Sequence, residues 1–105
     1  MTVDELLELL RSALQLQAAG NAAEMQAKET CKVVKAEQQI AAGDVAVAKA
    51  EIVALASPAY KDALRTMFGT VETAENARAE AEYLKARFDA WRTKMATQRE
   101  RMKQG

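Results

Sequence analysis

The chain has 105 residues, with 15 basic and 15 acidic side chains, no histidine and one cysteine. Without histidine the usual general base near neutral pH and the commonest metal ligand are both missing, and one cysteine makes no intrachain disulfide. No apolar run approaches a membrane span, and half the residues are apolar with only five aromatics among them, so the expected core is shallow and built largely from alanine.

Helix formers fill the chain from its start. Thr2 is placed to cap a first helix, with Glu5 three residues on completing a capping box. Asp4, Glu5 and Glu8 sit where the helix dipole favours acids, and Leu6, Leu7, Leu10, Ala13 and Leu14 form an apolar face. The acidic start "MTVDELLELL" does not read as a signal peptide. Gly20 and Asn21 read as a stop and a new cap, giving a second helix with a poorer stripe, Ala27, Cys31, Val34 and Ala41, beside Val33 and Ile40. Gly43 and Asp44 form another stop-and-cap pair. Val45, Ala48, Ile52 and Leu55 then follow at helical steps, and Ser57-Pro58 marks the clearest boundary, with Ser as cap and Pro at the first helical position. Helices are therefore expected at about 3–19, 21–42, 44–56 and 58–103, within one all-helical domain spanning 1–105.

The longest pattern follows Pro58. Tyr60, Leu64, Met67, Val71, Ala74, Ala77, Ala81, Leu84, Phe88, Trp91, Met95, Gln98 and Met102 succeed one another at steps of three or four, and twelve steps over 42 residues average 3.5, the coiled-coil period. Gly69-Thr70 interrupts the composition but is expected to leave a continuous or bent helix. The fold class expected is all-α: an elongated helical hairpin or bundle with a long, coiled-coil-like C-terminal helix, its seam residues Leu64, Met67, Val71, Leu84, Phe88, Trp91, Met95 and Met102 forming an oligomer or partner interface.

From Tyr83 onward this balanced chain carries seven cations against two acids, Asp89 and Glu100. With Leu84 at heptad position d and Phe88 at a, Lys85, Arg92 and Arg99 fall at e, while Arg87, Lys94 and Arg101 fall at g; Lys103 follows. Two rows of positive charge thus flank the apolar seam, and a parallel dimer through it would set like charges face to face. Something negative is expected alongside. It is either the acids of the first helix, the stretch Glu72, Glu75, Glu80 and Glu82 of another copy, an acidic helix of a partner, or a nucleic-acid backbone. Tyr83, Phe88 and Trp91 offer stacking surfaces for single-stranded bases, although aromatics at helical spacing more often form core.

The motif "YLKARF" and its basic, aromatic-bearing helix resemble small all-helical phage recombination mediators of the UvsY type, in short length, Lys- and Ala-rich helices and the Leu-Lys-Ala-Arg element at Leu84 to Arg87. That resemblance implies ring assembly and help in loading a recombinase onto single-stranded DNA, with Lys85 and Arg87 touching phosphates. In that family the basic element lies in the first half of the chain, before a loop; here it lies late, inside a helix. No phosphate loop, nucleophile elbow or metal signature is present, so no catalytic residue, cofactor or metal is expected. The expected function is a non-catalytic, oligomeric, cytoplasmic nucleic-acid-binding accessory protein, acting in the bacterial host cytoplasm if phage-encoded. Its phosphate contacts would be Lys85, Arg87, Arg92, Lys94, Arg99, Arg101 and Lys103. The alternative is a helical adaptor, inhibitor or structural component whose basic seam receives an acidic partner. Helical hairpins exported by secretion systems belong to that class, although their Trp-x-Gly turn is absent and "MFGT" at Met67 to Thr70 is only a faint echo of it.

Overall fold

A computed structural model describes residues 1–104. Three helices account for nearly all of them: α1 (Val3–Ala41), α2 (Val47–Ala56) and α3 (Pro58–Gln104), and no strand occurs among the described residues. The all-α class and the long C-terminal helix expected from the periodicity are what the structure shows.

The boundaries follow local chemistry. At the start of α1 the Glu5 N–H donates to the Thr2 hydroxyl oxygen at 3.2 Å, and the Leu6 N–H reaches the Thr2 carbonyl at 3.1 Å. The helix ends where Gly43 adopts φ 79°, a left-handed conformation that costs a residue with a side chain more than it costs glycine. The Gly43 N–H donates to the Ile40 carbonyl at 3.1 Å and so satisfies one of the helix's terminal acceptors. Ser57 closes α2 and opens α3 together: its hydroxyl donates to the Ala54 carbonyl at 2.7 Å and accepts the Tyr60 N–H at 3.2 Å. Pro58 follows as the first residue of α3, where its missing N–H removes nothing. The helix then runs unbroken through Gly69-Thr70. There the Thr70 and Thr73 hydroxyls bond back to the carbonyls of Thr66 and Gly69, at 2.9 and 3.1 Å.

Two expected boundaries are corrected. Gly20-Asn21 does not divide the first half of the chain: α1 is one helix of 39 residues. A glycine there costs about 1 kcal/mol of helix propensity relative to alanine, but it lets α3 come close. A Cβ on Gly20 would lie 3.1 Å from the Ala74 Cα. Gly20 is a contact glycine, not a stop. Asp44, in turn, does not cap α2. That helix starts three residues later, behind Ala46, which makes no side-chain cap bond.

The contacts of the described residues sort into two compact units, 1–18 with 76–104, and Ala19–Glu75. In the first, Leu6, Ala13, Ala81 and Leu84 form the buried cluster, with Leu10 and Phe88 packed against it. Of the face expected on α1, Leu6, Leu10 and Ala13 turn inward, while Leu7 and Leu14 face solvent. In the second unit the buried side chains are small: Cys31, Ala50, Ala54 and Ala74. The helix expected there from the spacing of Val45, Ala48, Ile52 and Leu55 is present, from Val47 to Ala56. Ala50 and Ala54 point inward, and Val45, Ala48, Ile52 and Leu55 are all exposed. Small residues let helices approach closely, so alanine, not the branched aliphatics, occupies the inner face. A bond from the Lys35 Nζ to Glu51 at 3.1 Å ties α2 to α1.

Candidate functional site

The seam of α3 is followed by burial residue by residue. Leu64, Met67 and Val71 are half-buried in the second unit; in the first, Leu84 is 4% exposed and Phe88, Trp91 and Met95 are half-buried. The sequence offered these residues as an oligomer or partner interface, but α1 of the same chain already covers much of the surface of Leu84 and Phe88. From Ala96 through Gln104 every residue is exposed, including the seam positions Gln98 and Met102, the latter at 81%. The last turns of α3 are a lone amphipathic helix.

All seven candidate cations lie between Lys85 and Lys103 of α3, three of them beyond Met95, and all are exposed. Lys85, Arg92 and Arg99 are seven residues apart, as are Arg87, Lys94 and Arg101. Each row therefore advances about 10.5 Å per cation along one flank of the seam. Among the described residues none of the seven takes part in a salt bridge. The ion pairs of the chain lie elsewhere, including Arg11–Glu8 at 3.9 Å, Lys32–Glu29 at 3.1 Å and Arg65–Asp62 at 3.3 Å. Within one chain, then, the acids at the start of α1 do not neutralise the tail: Glu8 turns to Arg11 on its own helix.

The aromatic residues are neither fully core nor free. The Phe88 and Trp91 rings stack at 5.9 Å between centroids with 21° between planes, and both are half-buried. Arg87 lies over the exposed Tyr83 ring, 5.8 Å from its centroid, a cation–π contact that holds one member of the basic row against the helix. An open hollow beside the stacked pair is lined by Phe88, Trp91, Met95, Arg92, Arg99 and Asp89. It combines an aromatic floor with two guanidinium groups of one row, and Asp89 alone opposes their charge. Periodicity placed the cations and the rings on one helix but carried no signal for this hollow, whose lining residues all lie on α3.

Elsewhere the chemistry is sparse. Cys31 is a buried free thiol. Glu72, Glu75, Glu80 and Glu82 are exposed, and among the described residues no group of three or more His, Cys, Asp or Glu is gathered as a metal site would require. Among the described residues no helix is long and apolar enough to cross a membrane. No protein-family model matches this chain, and no curated protein or solved structure matches it.

Proposed function

We propose that the protein is a non-catalytic accessory factor that binds the phosphate backbone of single-stranded nucleic acid along the C-terminal part of α3. The observation that supports this most is the set of seven exposed cations, six of them in two rows, none of which makes a salt bridge among the described residues. Such a helix carries its charge uncompensated, and a polyanion gains from meeting it because bound counterions are released. The hollow of Phe88, Trp91, Arg92 and Arg99 suits an unstacked base against the rings with its phosphates on the guanidinium groups. In this reading Lys85, Arg87, Lys94, Arg101 and Lys103 extend the same track. The setting would be cytoplasmic, and the resemblance to recombination mediators makes recombinase loading on single-stranded DNA the biological role.

The test is fluorescence anisotropy with a labelled oligothymidylate at rising salt. If about four of the seven cations meet phosphates, the slope of log affinity against log salt is about −3, and affinity falls about 50-fold between 50 and 200 mM. Arg92→Glu with Arg99→Glu is expected to cut affinity at least tenfold and flatten the slope, with helicity unchanged. Binding that ignores salt, or a variant that binds as well as the parent, contradicts the reading.

A second reading, an acidic helical protein partner, is favoured by one specific feature: Met95 and the exposed Met102 lie between the two rows, as the seam of a helix pair requires. The two are separable. Met102→Ser, outside the hollow, breaks the apolar seam and weakens binding to a helix at least tenfold, while oligonucleotide affinity stays within about twofold.

A further inference from the structure

The basic tail has an acidic counterpart in its own compact unit, on the side of α1 that faces away from the core. Leu6, Leu10 and Ala13 turn inward. On the other side Met1, Asp4, Glu5, Glu8, Leu9 and Ser12 line one open hollow along the first turns of the helix. The three acids are exposed, and Asp4 and Glu5 make no salt bridge among the described residues. Glu8 reaches Arg11 of its own helix at 3.9 Å, and a pair so exposed holds little. The helix dipole accounts for acids in a first turn. It does not account for the apolar side chains beside them: Leu9 is 44% exposed, and Leu16, seven residues further along the same flank, is 65% exposed.

Charge decides what this face suits. Residues 96–104 carry Arg99, Arg101 and Lys103 against Glu100, while residues 1–12 carry Asp4, Glu5 and Glu8 against Arg11. Each surface sets one exposed apolar side chain among its charges, Met102 on the tail and Leu9 on α1. Their lengths agree as well. The nine exposed residues from Ala96 to Gln104 extend about 13 Å, and Asp4 to Ser12 extends about 12 Å. The acids of α3 lack this apolar match, because no large exposed hydrophobic side chain lies between Glu72 and Glu82. Tyr83, next to them, already carries Arg87 of its own helix. Within one chain no tail cation pairs with Asp4, Glu5 or Glu8, so the two surfaces can meet only between molecules.

We propose that the basic tail of α3 docks on the outward face at the start of α1 of a second copy; this rests on the second reading above, the tail as a seam for an acidic helix, and names that helix. Arg99, Arg101 and Lys103 meet Asp4, Glu5 and Glu8, and Met102 covers Leu9. A contact of this size belongs to the weak, transient class, and salt screens it. The two uses of the tail alternate, since a nucleic acid bound there displaces the second copy.

Sedimentation equilibrium of the full chain tests it through a charge swap. At about 50 mM salt the parent is expected to self-associate as its concentration rises, at least tenfold more weakly at about 500 mM. Glu5→Lys with Glu8→Lys reverses the face, and Arg99→Glu with Arg101→Glu reverses the tail. All four positions are exposed, so helicity is expected to stay unchanged. Each variant alone is expected to lose association at least tenfold. Mixed in equal amounts they should recover it, because the intact tail of the first meets the intact face of the second. Recovery on mixing also excludes a folding defect. A parent that stays monomeric at low salt overturns the proposal, as does association that survives either reversal or fails to return in the mixture. A designed acidic amphipathic peptide separates this failure from that of the second reading. A monomeric parent that still binds the peptide through its tail overturns the α1 assignment alone, and one that binds neither overturns both. The face-reversed chain keeps all seven cations and is expected to bind oligothymidylate at least as tightly as the parent, so nucleic-acid binding is judged separately.

Discussion

One heptad pattern runs along α3, yet its two ends in the first compact unit have opposite fates. At Ala81 and Leu84 the seam is buried against Leu6 and Ala13 of α1; at Gln98 and Met102 the same seam is open to solvent. Met102 is as apolar as Leu84, although Gln98 is polar. What changes is the neighbour: the cluster with Leu6, Leu10 and Ala13 of α1 takes in the seam as far as Phe88, and exposure is complete beyond Met95. An apolar repeat states that a helix can be covered; it does not state by what. Beside the bare seam Arg99, Arg101 and Lys103 make no salt bridge among the described residues.

Substitutions can break or sharpen that contrast. The largest effect is expected at its covered end: Leu84→Ala removes a buried side chain and should cost about 2–4 kcal/mol in urea unfolding. A loss below about 1 kcal/mol would mean that the cluster does not hold the helices together. Gly20→Leu comes next. It places a bulky side chain where even a Cβ would lie 3.1 Å from the Ala74 backbone, and should cost about 2 kcal/mol. If Gly20→Leu is neutral or stabilising, the close approach is absent and Gly20 serves only as a tolerated residue. Ser57→Ala loses the bond to the Tyr60 N–H and should cost about 1 kcal/mol, read by the same unfolding curves. The smallest effect belongs to the bare end. Met102→Ala should change stability by less than about 0.5 kcal/mol, and a larger loss would show that Met102 is covered after all.

Much of this was legible in the sequence. The step pattern from Tyr60 to Met95 follows the non-exposed side of α3 position by position, and Ser57-Pro58 marks a true boundary. The failures have physical causes. Gly20 carries the same letter whether it ends a helix or admits a neighbour, and only the nearness of Ala74 separates the two. Along α2 the spacing of the larger aliphatics marked a helix but not its inner side: close packing selected Ala50 and Ala54, and Ile52 and Leu55 are turned outward. The cation rows were visible from spacing alone. That they go unpaired was not, because the lengths of α1 and α3 decide which charges meet.

Amide hydrogen exchange along α3, with and without a short single-stranded oligonucleotide, tests the central claim most directly. In the free protein, protection is expected to be strong around Ala81 and Leu84 and to fall sharply beyond Met95, because a helix without a packed face frays. With the oligonucleotide, protection of residues 96–104 should rise while the covered stretch stays unchanged. Equal protection along the whole helix in the free protein, or a tail indifferent to the oligonucleotide, would contradict it.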